Sequence, residues 1–292
     1  MAVACGAHML HDGFTDLLYV LLPLWQAEFG LGYAEVGLLR ALYAGSMAGF
    51  QLPAGALASR LGGPLTLALG TALAGIGYLL AGSSSGFTLL VTALIVGGLG
   101  SSAQHPIAAN LVAHAFAGRR SRTALASYNF SGDLGKMALP AATAGMIAMM
   151  PWRSATVVLG TLGIFAACAV LLARMPQGAD DPPRSVSADR PAGQSTGRGF
   201  PLLLSIGIID SATRMGFLTF LPFLLRMKGA NLPMVGVALT MIFAGGAAGA
   251  LSPALYGLAS DAAGVPMMMG LIAGVVLVTL PLAWALRPAL RG

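Results

Sequence analysis

Residues 23–53, PLWQAEFGLGYAEVGLLRALYAGSMAGFQLP, return about 200 residues later as 222–253, PFLLRMKGANLPMVGVALTMIFAGGAAGALSP. Pro23, Val36, Gly37, Ala44, Gly45, Gly49 and Pro53 recur as Pro222, Val235, Gly236, Ala244, Gly245, Gly249 and Pro253. Every matched position lies in or beside a long apolar run, so the repeated unit is a pair of membrane-crossing helices. A parallel repeat of this kind predicts two related helix bundles.

Composition places the whole chain in the same class. It is 57% hydrophobic and only 9% charged, with mean hydropathy +0.80, values that a water-soluble domain has too little surface to accommodate. The net charge of +6 could point to nucleic acid, but the basic residues sit at the ends of apolar segments rather than in a stripe, which excludes that partner. Cys5 and Cys168 lie in separate apolar segments with no C-x-x-C, so neither a disulfide nor a zinc site is expected. The N-terminus lacks a basic region, and Asp12 and Asp16 interrupt its apolar stretch, which predicts a permanent first span rather than a cleaved signal.

A bilayer core takes roughly 20 residues of helix, and about nine segments qualify. They cover approximately 8–29, 35–58, 63–83, 86–112, 123–149, 153–174, 200–225, 232–259 and 265–286. Between the sixth and seventh, the polar, proline-rich stretch 175–199 is predicted to be a cytoplasmic linker. It separates a six-helix bundle over 1–174 from a partial bundle of about three helices over 200–292. Arg60, Arg119, Arg120, Arg122, Arg174, Arg184, Arg190 and Arg198 fall in alternate loops, against Arg153, Arg226 and Lys228 in the others. The bias puts the N-terminus in the cytoplasm of an inner membrane, although it leaves Arg287 and Arg291 facing outward.

Charges inside such segments cost roughly 2.5–3.5 kcal/mol each at the bilayer centre and need a reason. In the fifth segment Asn129, Asp133, Lys136 and Pro140 fall within a sector of about 60° on one helix face, where Asp133 and Lys136 can pair. In the first, His8, Asp12, Asp16 and Tyr19 share a stripe about 80° wide, with His11 to one side. The seventh carries Asp210 and Arg214 one turn apart, and the fourth carries Gln104, His105 and Pro106 after a run of small residues that predicts a kink. These residues serve equally well as buried structural pairs or as a proton and substrate path. His8, His11 and Asp12 have helical metal-ligand spacing but no further ligand set, so no metal is expected. Gly45 and Gly49, with Gly245 and Gly249, form G-x-x-x-G faces expected to pack helices. No H-E-x-x-H or phosphate loop is present, so neither an enzyme nor a cofactor is expected.

The residues Gly55-Ala-Leu-Ala-Ser59-Arg60-Leu-Gly62 resemble the cytoplasmic loop signature of the major facilitator superfamily, with Ser59 where that family carries an acid. Gly257-Leu-Ala-Ser-Asp261-Ala-Ala-Gly264 is a second copy that keeps the acid and both glycines but lacks the arginine. HDGFTDLLYVLLPL (11–24), GLGSSAQHP (98–106) and YNFSGDLGKMALP (128–140) are similar to the fosmidomycin-resistance-like drug exporters of that superfamily. The resemblance implies an all-α bundle that moves a small molecule across the cytoplasmic membrane by alternating access, with proton-coupled efflux. Within it, Asp12, Asp16, Asp133 and Asp210 are the candidates for the coupling proton. His105, Asn129, Lys136, Arg214 and Tyr19 are the candidates for substrate. The superfamily has twelve helices, so six helices plus about three also imply an alternative: a truncated or noncatalytic membrane subunit that packs with a partner chain supplying the rest.

Overall fold

In the computed structural model the described residues are 1–116, 119–173 and 199–249, with isolated positions at Met267, Leu277 and Pro281. They are helical throughout, with no strand among them. In order these are α1 (Ala2–Phe29), α2 (Tyr33–Gly49), α3 (Gln51–Leu61), α4 (Gly63–Gly82) and α5 (Phe87–Ser101). A π-helical turn (Gln104–Ala108) follows, then α6 (Ala109–Ala115), α7 (Arg119–Met149), α8 (Trp152–Leu172), α9 (Gly199–Met227) and α10 (Leu232–Gly249). The chain forms two compact units, Met1–Phe243 and Ala244–Gly292. The second loop signature, Gly257, Asp261 and Gly264, lies outside the described residues, as do the linker up to Arg198 and most of the ninth segment.

By length and hydropathy, Gly63–Gly82, Phe87–Ala115, Trp152–Leu172 and Leu204–Met227 can each cross a membrane. Helices α1 and α7 are long enough too, but each carries the polar face picked out above. The expected second helix is not continuous: it breaks at Phe50 (φ −94°, ψ 0°) into α2 and α3. The first loop signature sits at the end of α3, with Gly55 and Arg60 on the helix and Gly62 closing it at φ +85°, a conformation that leaves room only for glycine.

The repeat is three-dimensional. Pro23 and Pro222 are buried inside α1 and α9, and those helices end on Gly30 and Gly229, both left-handed, at φ 64° and 87°. The amide of Leu31 donates to Gln26 O and that of Ala230 to Leu225 O, each at 3.0 Å, the same helix-closing bond in both copies. Val36 and Val235 then enter the core of the following helix with no exposed surface.

Helix α4 packs closely on α5 and α8 through small residues. A methyl on Gly75 would lie 2.7 Å from Gly160 O of α8, and one on Gly77 would lie 2.6 Å from Gly97 Cα of α5. Gly45 and Gly49 do not pack on another helix among the described residues, since a methyl on either would meet no atom of those residues within 4 Å. The close approach of α2 to α5 is made by Gly98 instead, which abuts the Tyr43 carbonyl and Ser46. Leu162, Phe165, Leu171 and Leu172 of α8 stand exposed, the apolar belt that a lipid-facing helix requires.

Candidate functional site

Helices α1 and α7 pack along much of their length because α7 presents glycine where α1 presents bulk. Gly132 accommodates Asp12 and His8, since a methyl there would fall 2.6 Å from Asp12 Oδ2 and 2.7 Å from His8 Cε1. Gly13 of α1 reciprocates against Leu139. The third wall is the π-helical turn, where Pro106 supplies no backbone donor and the backbone widens.

These elements gather five ionisable groups. Asp12, 6% exposed, is the hub. Its Oδ1 lies 3.4 Å from His8 Nε2 and 3.7 Å from His105 Nε2, and its Oδ2 lies 3.2 Å from Lys136 Nζ. Lys136 also donates to Asp133 Oδ1 at 3.0 Å, as the helical spacing predicts. His8 stacks on the Tyr128 ring, centroids 4.0 Å apart and planes 11° from parallel. Its Nδ1 lies 2.8 Å from the Tyr128 carbonyl, which can only accept, so Nδ1 carries hydrogen. Nε2 therefore faces Asp12 with its second proton position, and the two are complementary when one proton lies between them. Gln104, fully buried, donates to the Tyr128 hydroxyl at 3.1 Å and fixes the stacked ring.

His11 points the other way. Thr71 Oγ1 donates to Leu67 O at 2.8 Å, so it accepts from His11 Nε2 at 2.9 Å and ties α1 to α4. Both side chains are buried, at 2% and 0% exposure. Thr71→Val is therefore expected to lower stability by about 1–3 kcal/mol, the cost of an orphaned buried donor, as measured by denaturant unfolding in detergent. An unchanged midpoint would remove the bond from the α1–α4 interface.

His105 takes the place that the sequence offered to His11. The donor atoms of His8, Asp12 and His105 lie within 4.8 Å of one another, a spacing that a metal ion could span. The Lys136 ammonium already occupies the other oxygen of Asp12, and the repulsion it would exert on a second cation makes this a charge cluster rather than a metal centre.

The remaining candidates do not join the cluster. Asn129 is exposed and makes no hydrogen bond among the described residues. Asp210 and Arg214 are exposed on α9 and form no ion pair with each other, although the Arg214 charge reaches Asp16 and Tyr19. Asp16 and Tyr19 instead border a second group that the sequence reading missed. Arg40 of α2, 4% exposed, donates from Nη2 to the Tyr19 hydroxyl at 3.0 Å. Tyr43 beside it bonds Ser101 Oγ at 2.9 Å, linking α2 to α5. The available signal was a cation directly after the apolar run 36–39, a position as costly inside a membrane helix as those of Asp12 and Lys136.

A bundle of lipid-length helices with an internal repeat and buried charge is the architecture of a multi-pass membrane protein. The chain belongs to the Major Facilitator Superfamily, whose family model matches residues 4–290, and it is not an enzyme. It is 29% identical over 140 residues to the probable L-galactonate transporter of Escherichia coli K12, covering 48% of this chain and 31% of that protein. It is 29% identical over 167 residues to the fosmidomycin resistance protein of the same organism, covering 56% of this chain and 40% of that protein. The chain thus spans less than half the length of these curated relatives. Its fold is similar to that of a bacterial homolog to the human lysosomal transporter Spinster, in inward-facing and occupied conformation. The TM-score is 0.69 at 18% identity, over 89% of this chain and 60% of that one. The unoccupied form of the same homolog gives 0.67.

Proposed function

We propose that this protein is a proton-coupled exporter of a small molecule in the inner membrane, with its N-terminus in the cytoplasm. The observation that carries the reading is Asp12, a buried carboxylate touching one cation and two imidazoles contributed by three elements. A proton arriving at the His8–Asp12 contact neutralises the carboxylate side of the Asp12–Lys136 pair. Lys136 is then held by Asp133 alone, and the α1–α7 contact becomes free to change partners. That one proton leaves Asp12, Asp133 and Lys136 with no net charge, so the group can cross a closed, dry state, which links proton movement to the switch of access. The arginine bias of alternate loops supports the orientation. The likeness to the probable L-galactonate transporter and the fosmidomycin resistance protein supports transport of a small molecule.

The test is flux in proteoliposomes under an imposed pH gradient, with fosmidomycin and L-galactonate as the first solutes. Wild type should move one of them faster with the gradient than without it, and Asp133→Asn should reduce that gradient-driven part about tenfold. Lys136 keeps Asp12 but loses one of its two carboxylate partners, a change on the order of 1.4 kcal/mol. A wild-type flux indifferent to the gradient would sink the coupling.

A further inference from the structure

Arg40 is a buried cation whose donors are mostly unused. Its guanidinium carbon lies 5.0 Å from the Tyr19 ring centroid and 5.8 Å from that of Tyr43, so aromatic faces border it. Nη2 donates to the Tyr19 hydroxyl, while Nε and Nη1 are sealed from solvent and have no hydrogen-bond partner among the described residues. No carboxylate among those residues comes within ion-pair distance of it, although Asp16, one turn before Tyr19 on α1, feels its charge. Burying an arginine in this way is costly, and leaving two of its nitrogens unpaired adds to the cost.

Packing of the repeat does not require that cost. The register of Val36 with Val235 puts Leu239 opposite Arg40, and that of Ala44 with Ala244 puts Thr240 there. In either register the same place in the second copy carries no charge.

We infer that Arg40 is the anchor for an anionic group of the transported solute, a carboxylate or a phosphonate. Tyr19 takes only one of the two Nη2 protons. One two-donor edge of the guanidinium therefore stays open, either Nε with Nη2 or Nη1 with Nη2, and each matches two oxygens of such a group. Tyr19 and Tyr43 hold the guanidinium in place, and Tyr43 is itself fixed by Ser101. The enclosure of this edge is what an occluded site requires, since the charge meets solute only when the surrounding helices part. This inference rests on the transporter reading and adds to it the charge class of the substrate.

The experiment is thermal unfolding of the full chain in detergent, titrated with glycerate, acetate and methylphosphonate. Glycerol serves as the neutral counterpart and chloride matches the ionic strength. The expected result is a saturable rise in midpoint with at least one of the three anions and none with glycerol. Arg40→Gln should lose the rise, and Arg40→Lys should shift its concentration dependence at least tenfold upward, because an ammonium has no planar two-donor edge. If Arg40→Gln is not monodisperse, the lysine variant alone decides, and an unchanged concentration dependence there overturns the inference. It is equally overturned by the absence of any anion-specific rise in wild type, or by an equal rise in Arg40→Gln. A rise produced by phosphatidylglycerol but by none of the soluble anions would assign Arg40 to a lipid headgroup and also overturn it. The measurement uses no proton gradient, so its outcome is separable from failure of proton coupling.

Discussion

Asp12→Asn is expected to abolish gradient-driven flux, by a hundredfold or more, while the protein still inserts and purifies as a single species. Asparagine keeps the shape of the hub but carries neither the charge that holds Lys136 nor a titratable oxygen toward His8. A positioned side chain that takes up and passes on a proton typically contributes about 10²–10⁴-fold in rate, each factor of ten being 1.36 kcal/mol. Lys136 retains Asp133, so the loss falls on the coupling step and not on folding. Exchange of labelled solute at equal pH on both sides needs no net proton movement and should persist in the variant. Coupled flux near the wild-type level would exclude Asp12 as the coupling group.

The second large effect is structural. Gly135→Ala is expected to destabilise the α1–α7 interface by about 3 kcal/mol, the upper end of overpacking costs. The new methyl would overlap the Met9 carbonyl oxygen and sit 2.9 Å from Met9 Cα, which is backbone that cannot turn aside. Gly145→Ala, ten residues further along the same helix, meets nothing within 4 Å and should gain a few tenths to 1 kcal/mol from helix propensity. Unfolding midpoints of the two variants, measured side by side, separate contact from propensity. Equal midpoints would show that α7 does not approach α1 this closely.

Both effects come from an interface whose ingredients were visible in the sequence and whose assembly was not. The polar stripe of His8, Asp12, Asp16 and Tyr19 and the step from Asp133 to Lys136 follow from the 3.6-residue period, because residues on one helix face stay together in any fold. The kink near Gln104 was also legible, because a proline after small residues weakens the helical ladder. Which face meets which was not legible. Periodicity cannot say that His105 and not His11 completes the Asp12 cluster, or that Gly98 and not Gly45 brings α2 to α5. Arg40 belongs to no polar stripe, so helical periodicity gives no sign that it is buried against Tyr19 and Tyr43.

The sequence by itself determined the class of the protein. An apolar content of 57% leaves no soluble fold in which to place it, and matched proline, valine and glycine positions encode a repeated helix pair through local backbone chemistry. The tertiary structure alone decided the site. Asp12, His105 and Lys136 come from three different elements, and the 3.2 Å contact of Asp12 with Lys136 is possible because Gly132 and Gly135 let α7 close on α1. Interactions within a helix are written in its spacing, whereas those between helices depend on which surfaces fit, a property of the assembled bundle.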